Sequence, residues 1–383
     1  MRASYQRRFL IAFAIIAALV GVEAFLRATR RIEDLYDGLT TYPSLASAGW
    51  QRVYLRDWQA LRRSGSIGAD LEGLVHDTEL GWDVPGRVRA PDDASPVAVR
   101  PDGPRIVVLG DSTVYGAGAT ASEAFPARLE AALPGTEVLN LGVRAYGTGQ
   151  AALKYWLHGR HFAPDLVVLA IFGLDLYRTP LSFYRAAKPR FEMAADHRHA
   201  EIVGLPVPEP EAAYERIRAR KWPLWFTYAF LREELLTSAP WQEWTHAGEL
   251  FFHRQDDIMD AVLRATQDLA HADGARLLLV YVPHPWEFDA PEPRRNRSVE
   301  RDHLTRIFAR IGVPWVDLVP ELLDRHPAKR ILERLYVVKD GVPGELGPEG
   351  HREVAAVLAE EIVARGLLGA AEACDALGVK PPE

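Results

Sequence analysis

The chain has 383 residues, 48% of them hydrophobic and 25% charged, which is the composition of an ordinary globular protein. Its net charge of -7 argues against a nucleic-acid-binding protein, because such proteins carry a basic surface. The one cysteine, Cys374, excludes an internal disulfide and a cysteine-based zinc site.

An apolar run from Phe9 to Leu26, interrupted by Glu23, lies near the N-terminus. A membrane-spanning helix needs roughly 20 apolar residues, so this run is just long enough for an anchor. Arginines precede it, which favours a cytoplasmic N-terminus, and no convincing cleavage site follows it. We therefore predict a cytoplasmic N-terminus and an uncleaved signal-anchor helix over residues 1–31, with the main domain in the periplasm. The alternative is a buried helix of a soluble protein.

Residues 32–103 are predicted to form an approach segment that ends in a linker. The last part of this segment, VRAPDDASPVAVRPDGP, is polar and rich in proline, as linkers commonly are.

From Arg105 onward, short apolar runs alternate with segments of helical spacing. The runs that read as strands are RIVVLG, TEVLNLG, PDLVVLAIFG, ARLLLVYVP and PWVDLV. Strands that are apolar throughout and alternate with helices favour a parallel sheet covered on both faces. The sequence thus predicts an α/β domain over residues 104–370, a three-layer α/β/α sandwich. An inserted helical cap is predicted at about 178–255, and a C-terminal tail at 371–383.

Several polar residues follow the predicted strands directly, where open parallel sheets place their functional groups. Asp111 and Ser112 stand on a tight turn in LGDSTVYGAG, and Asn140 and Asp175 end two later strands. Ser112 is a candidate nucleophile, and the alternative is a structural serine that caps the next helix.

The turn VVLGDSTVYGAG and the block EVLNLGVRAYGTGQ resemble the SGNH (GDSL-type) hydrolase family, and so does HDTELGW upstream. The resemblance runs from about Arg105 to about Leu367. It implies a flavodoxin-like SGNH-hydrolase fold and makes Ser112 the nucleophile. The backbone N–H groups of Ser112 and Ala145 would be oxyanion donors, with Ala145 standing where the family has glycine.

The chain departs from the family pattern in two blocks, which leaves a degenerate catalytic set. The third block reads Gly173-Leu174-Asp175 where the family has Gly-Asn-Asp, so Leu174 lacks the side-chain amide that donates to the oxyanion. The last block, KDGVPGELGPEGHREVA, lacks the histidine of Asp-x-x-His. An alignment anchored on Asp340 puts Pro343 at the histidine position, and one anchored on the closing helix puts the histidine near Glu345.

Four residues are candidates for the missing acid and base. Asp340 is a possible acid, although a solvated loop acid is the simpler interpretation. His351 and His284 are candidate bases, each against a packing role. Glu345 is a candidate carboxylate base if its pKa is raised. The substrate pocket is predicted to include Asp111, Asn140, Gly173, Leu174 and Asp175, although Asn140, Gln150 and Asp175 also suit a role in holding loops.

These patterns predict a serine esterase or acyl-transfer enzyme acting on acyl or acetyl esters of an envelope carbohydrate or lipid. The substrate class rests on the resemblance and the predicted location. The alternative is a catalytically inactive protein of the same fold that binds a glycan or a protein partner in the cell envelope. No cofactor or metal is expected, since the histidines are scattered. The expected partner is the membrane, and nucleic acid is not expected. The oligomeric state is left open.

Overall fold

A computed structural model describes residues 17–24, 73–84, 103–181, 183–196, 198–213, 247–289, 299–339 and 342–368. Most of the predicted anchor, the approach segment, the linker and the tail lie outside these ranges. A short helical segment spans 17–24 and exposes Leu19, Val20 and Val22. Within the described ranges, no helix is long and apolar enough to cross a membrane.

The described strands fall into one five-stranded sheet and four two-stranded hairpins. Their bounds are β1 (Val75–Asp77), β2 (Gly81–Asp83), β3 (Arg105–Leu109), β4 (Glu137–Asn140), β5 (Leu166–Phe172), β6 (Phe183–Tyr184), β7 (Ala186–Ala187), β8 (Arg190–Met193), β9 (Ala200–Val203), β10 (Arg276–Val282), β11 (Trp315–Asp317), β12 (Tyr336–Lys339) and β13 (Val342–Leu346).

The described helices connect these strands. Their bounds are α1 (Ser112–Tyr115), α2 (Phe125–Ala132), α3 (Thr148–Leu157), α4 (Asp175–Arg178), α5 (Ala247–Ala272), α6 (Trp286–Asp289), α7 (Val299–Ile311), α8 (Leu318–Arg325), α9 (Ala328–Arg330) and α10 (Pro348–Ala364). A 3₁₀ turn at Gly159–Phe162 follows α3, and a π-helical turn at Ile331–Leu335 precedes β12.

The central sheet has the strand order β11-β10-β5-β3-β4, and all neighbouring strands are parallel. Every residue of β3 is buried, and so are six of the seven in each of β5 and β10. Strands buried on both faces must lie between layers of other structure. Helices α3, α5 and α7 pack together as one group, and α2, α8 and α10 as another. The predicted α/β fold with a central parallel sheet is confirmed.

The hairpin β1–β2, which holds the HDTELGW block, is bound to the loop that follows β4. The Trp82 indole N–H donates to the carbonyl of Arg144 at 3.0 Å. The Tyr146 hydroxyl donates to the carbonyl of Trp82 at 2.6 Å, and the Gln150 amide donates to the carbonyl of Leu80 at 2.8 Å. This hairpin therefore fixes the loop that carries Ala145.

The insertion after β5 begins with two short hairpins, β6–β7 and β8–β9. Phe191 of β8 is fully buried and meets Trp156 of α3 edge to face at 5.8 Å. Within the predicted cap, strands β6 to β9 form these two hairpins, a helix begins at Pro210, and α5 begins at Ala247. Residues 214–246 lie outside the described ranges.

We predict that Gly142→Ala destabilises the fold by about 1–3 kcal/mol, as overpacking does. A Cβ on Gly142 would stand 2.4 Å from the backbone nitrogen of Tyr115 and 2.6 Å from the carbonyl carbon of Val114, both in α1. Urea denaturation measures the effect. Gly344→Ala is the matched control, because its Cβ would meet nothing closer than the Val337 oxygen at 3.8 Å. Equal denaturation midpoints for the two variants would contradict the close approach.

Candidate active site

Ser112 stands on a tight turn immediately after β3, a strand of the central sheet. Gly110 has φ of +156°, and a Cβ there would lie 2.5 Å from Val114 Cγ2 and 2.8 Å from the Ala170 oxygen. Only glycine fits this turn. The Asp111 side chain then caps α1 by accepting the Thr113 N–H at 3.0 Å. Ser112 becomes the first residue of α1, and it is half-buried at the carboxyl edge of the sheet.

The Ser112 hydroxyl donates a hydrogen bond to the Glu345 carboxylate, with 3.2 Å between Oγ and Oε2. Glu345 belongs to β13, which packs against α1. A Cβ on Gly118 would lie 2.4 Å from the Leu346 oxygen, so the two loops approach closely. The structure thus brings together two residues that are 233 positions apart in the chain.

The pKa of Glu345 is raised from 4.5 to about 7. Loss of hydration is the main cause, and the negative charge of Asp111 adds to it. The Ser112 hydrogen bond and the positive charge of Arg178 act in the opposite direction. The residue itself is open to solvent on the pocket side, so water moderates all of these effects. A carboxylate with a pKa near neutral pH is well matched to accepting a proton from serine.

Glu345 also stands where one alignment of the last block places the family histidine. In that register the preceding acid of Asp-x-x-His falls on Val342. A histidine base needs such an acid to fix its tautomer and orientation. A carboxylate has no tautomers, so a glutamate at this position does not need an acid to select one.

Ala145 holds a left-handed backbone conformation, with φ of +64°. Such a conformation costs about 1–2 kcal/mol for a residue with a Cβ. Arg144 is held by Trp82, and the Tyr146 carbonyl accepts from Arg178 Nη1 at 3.2 Å, so contacts on both sides maintain it. Within the described residues, the backbone N–H groups of Ser112 and Ala145 donate to no protein acceptor. Both N–H groups can therefore donate hydrogen bonds to an oxyanion.

Asp111, Asp175 and Arg178 form a buried network beneath the serine turn. Arg178 Nη1 donates to Asp175 Oδ1 at 3.1 Å and to Asp111 Oδ2 at 3.4 Å. Asp175 also accepts the Phe172 N–H at 3.2 Å. Burial raises the pKa of Asp175, although the Arg178 charge opposes the shift. These contacts assign Asp111 and Asp175 to holding the turn.

Asn140 and Gly173 also support the site from outside it. The Asn140 amide donates to the Val114 carbonyl at 2.8 Å, and its oxygen accepts the Gly142 N–H at 2.9 Å. A Cβ on Gly173 would meet the Tyr281 hydroxyl oxygen at 3.1 Å, which leaves no room for a side chain. Neither residue is among those that line the pocket.

The two histidine candidates lie in different surroundings. His351 is fully buried, stacks on Phe125 with ring centres 6.3 Å apart, and lines no part of the pocket. Burial lowers its pKa to about 4. His284 does line the pocket, but burial and then the Arg178 charge lower its pKa to about 3. No hydrogen bond described in the structure joins either ring to Ser112. Asp340 lies outside the described residues.

The pocket around Ser112 and Glu345 has two lobes that meet at these residues. The larger lobe, of about 570 Å³, is lined by residues that include Arg144, Ala145, Arg178, Tyr184, Arg185 and Lys339. The smaller lobe, of about 240 Å³, has apolar side chains from Phe172, Leu174, Val282, Pro283 and Pro285, and Asp111, Arg178 and His284 also line it. Leu174 therefore contributes an apolar wall where the family has an amide donor.

Among the described residues, no group of three or more His, Cys, Asp or Glu side chains is placed to hold a metal ion.

Comparison with solved structures finds similarity to several hydrolases. One is a putative lipolytic protein of the G-D-S-L family from Desulfitobacterium hafniense DCB-2, at 13% identity over 66% of this chain and 98% of that one, with a TM-score of 0.35. Another is a catalytic mutant of the acetylxylan esterase Axe2 from Geobacillus stearothermophilus, at 15% identity over 68% of this chain and 94% of that one, with a TM-score of 0.38. A third is a lipase/acylhydrolase from Enterococcus faecalis, at 15% identity over 73% of this chain and 99% of that one, with a TM-score of 0.36.

No curated protein sequence matches the chain. The model of the GDSL-like lipase/acylhydrolase family, in contrast, matches residues 108–352. This match covers well over half of the chain, and it includes the serine turn, the Ala145 loop and Glu345. The chain therefore belongs to the GDSL-like lipase/acylhydrolase family.

Proposed function

We propose that this protein is a serine esterase or acyl-transfer enzyme in which Ser112 is the nucleophile and Glu345 is the general base. The observation that carries the proposal is the hydrogen bond of 3.2 Å from Ser112 Oγ to Glu345 Oε2. A nucleophile within hydrogen-bond reach of a base whose pKa is close to neutral is the arrangement that acyl transfer needs.

In the first half of the reaction, Glu345 accepts the hydroxyl proton as Ser112 Oγ bonds to the ester carbonyl carbon. The carbonyl oxygen becomes an oxyanion and accepts hydrogen bonds from the backbone N–H groups of Ser112 and Ala145. As the carbonyl re-forms, the bond to the alcohol oxygen breaks, and Glu345 returns the proton to that oxygen. The products are an acyl-Ser112 intermediate and a free alcohol.

In the second half, water or an acceptor alcohol enters the same position. Glu345 removes a proton from the water or alcohol while the oxygen of that molecule attacks the acyl carbon. As the bond between the acyl carbon and Ser112 Oγ breaks, the proton passes from Glu345 to Ser112 Oγ. Water gives the acid and hydrolysis, and an alcohol gives a new ester. Glu345 is used in both halves because the second is the first in reverse.

Leu174 is the observation that favours the alternative, an inactive protein that binds a glycan or protein partner. Loss of one oxyanion donor reduces the rate by a factor of about 10²–10³. Two backbone donors remain, so the substitution predicts a slower enzyme rather than an inert one. A hydrogen bond from Ser112 to a carboxylate with a pKa near neutral is the arrangement that acyl transfer requires, and it therefore favours the enzyme.

We also propose that the protein is anchored in the cytoplasmic membrane with its main domain in the periplasm, and that its substrates are acyl or acetyl esters of envelope carbohydrate or lipid. The support is the apolar run from Phe9 to Leu26 between groups of arginines, together with the exposed apolar side chains in residues 17–24. The substrate class follows from that location and from the family.

Glu345→Gln is expected to lower kcat/KM for a small acetyl ester by at least ~100-fold, the usual contribution of a general base. Glu345→His is expected to stay well below wild type, since Val342 offers no acid to orient the imidazole. Ser112→Ala is expected to abolish turnover. Spectrophotometric assays of aryl acetate hydrolysis measure these changes.

Glu349→Gln is the matched control for these variants. Glu349 lies four residues further on, at the start of α10, where it pairs with Arg334 and Arg352 on the surface. Turnover that survives Ser112→Ala, or equal activity in Glu345→Gln and Glu349→Gln, would contradict the proposed mechanism.

The full-length chain is expected in the membrane fraction, and a variant lacking residues 1–31 is expected in the soluble fraction, because the apolar run is the anchor. Carbonate extraction followed by immunoblotting measures this. Protease added to spheroplasts is expected to digest the main domain. A full-length chain that fractionates as soluble, or is protected from the protease, would contradict the proposed location.

A further inference from the structure

The larger lobe of the pocket gathers positive charge. Arg144, Arg178, Arg185 and Lys339 line it, and Glu345 is the one carboxylate among the described residues that do so. The whole chain has a net charge of -7, so this concentration of cations is a local feature and does not reflect a generally basic surface.

Two of these cations contact the same aromatic ring. The guanidinium carbons of Arg178 and Arg185 lie 4.7 Å and 5.8 Å from the centre of the Tyr184 ring. Arg178 also pairs with Asp111 and Asp175 beneath it. The ring thus holds both guanidinium groups at the wall of the larger lobe.

Arg185 is placed by a strained turn. It connects β6 to β7 with φ of +64°, a conformation unfavourable for a residue with a side chain. Three described non-glycine residues have positive φ, and two of them, Ala145 and Arg185, line the larger lobe. Strain of this kind concentrates at functional sites, where surrounding contacts maintain it.

A buried lysine supplies those contacts. Lys188 Nζ donates to the carbonyls of Arg178, Leu181 and Pro189 at 3.1, 2.9 and 2.9 Å. It thereby ties the hairpin that carries Arg185 to the helix that carries Arg178. The two arginines keep a fixed spacing, which is what recognition of a charged group requires.

We propose that the larger lobe binds the alcohol part of the ester, and that this part carries a negative charge as a carboxylate, sulfate or phosphate. The inference rests on the proposed esterase function. The smaller lobe, whose walls include Phe172 and Leu174, then takes the acyl group, and the ester carbon lies between the lobes at Ser112. Charge-assisted hydrogen bonds from arginine and lysine select the anionic alcohol.

Three acetyl esters that differ in charge test this selection: 4-acetoxybenzoate, its neutral methyl ester, and the cationic 4-acetoxy-N,N,N-trimethylanilinium. The kcat/KM of wild type is expected to fall in that order after correction for the uncatalysed rates. Added salt is expected to lower kcat/KM for 4-acetoxybenzoate and to leave the neutral ester unchanged, because salt screens the attraction.

Arg185→Gln and Lys339→Gln are each expected to lower kcat/KM for 4-acetoxybenzoate by about tenfold, the usual effect of losing a hydrogen bond to a charged group, and to spare the neutral ester. Arg306→Gln makes the same charge change on α7, where the side chain is exposed and donates to its own helix at 2.9 Å. Arg306→Gln is expected to leave kcat/KM unchanged for both 4-acetoxybenzoate and the neutral ester.

The outcomes separate this inference from the esterase function. If the three esters react equally well and without salt dependence, the enzyme stands and the anion site is overturned. If none reacts, the esterase proposal fails, and calorimetric titration of Ser112→Ala with 4-acetoxybenzoate decides the anion site by itself. Binding that weakens in Ser112→Ala/Arg185→Gln supports the site, and binding equal to that of the neutral ester overturns it.

Discussion

The contact between Ser112 and Glu345 is the constraint on which the function of this molecule depends. The two residues come from opposite ends of the domain sequence, one just after β3 and one in the hairpin β12–β13 that precedes the closing helix. The glycines at 110, 118 and 142 let the serine turn, the β13 strand and the loop after β4 approach more closely than a Cβ allows. Much of the packing around the serine thus serves to bring a carboxylate to its hydroxyl.

The site holds several features that oppose stability. Ala145 and Arg185 keep a backbone conformation that costs about 1–2 kcal/mol each. The pKa of Glu345 is raised above its ordinary value, so the folded state loses stability relative to the unfolded chain as the pH rises from about 4.5 to about 7. Buried contacts from Trp82, Tyr146, Arg178 and Lys188 hold these features in place. Concentrated strain and charge of this kind are typical of catalytic sites.

The sequence predicts the central sheet well, because apolar strands such as LVVLAIF can be buried only between two helical layers. It also predicts the serine turn, since Gly-Asp-Ser after a strand has few other uses. The base was harder to identify. The family register does point to position 345, but a glutamate in a glycine-rich loop reads as a surface residue until β13 is seen against α1. The basic lobe was not predicted, because its cations come from four separate segments, namely the loop after β4, helix α4, the β6–β7 turn and strand β12, and no local pattern joins them.

The rate at which a fluorophosphonate reacts with Ser112, measured against pH on the soluble domain, shows whether Glu345 activates the serine. A single adduct on Ser112 is expected by mass spectrometry. The rate is expected to fall about tenfold per pH unit below about pH 7, as Glu345 becomes protonated. In Glu345→Gln the rate should be low and independent of pH in this range. No adduct on Ser112, or the same rate and the same pH dependence in Glu345→Gln, would show that Glu345 does not activate the serine.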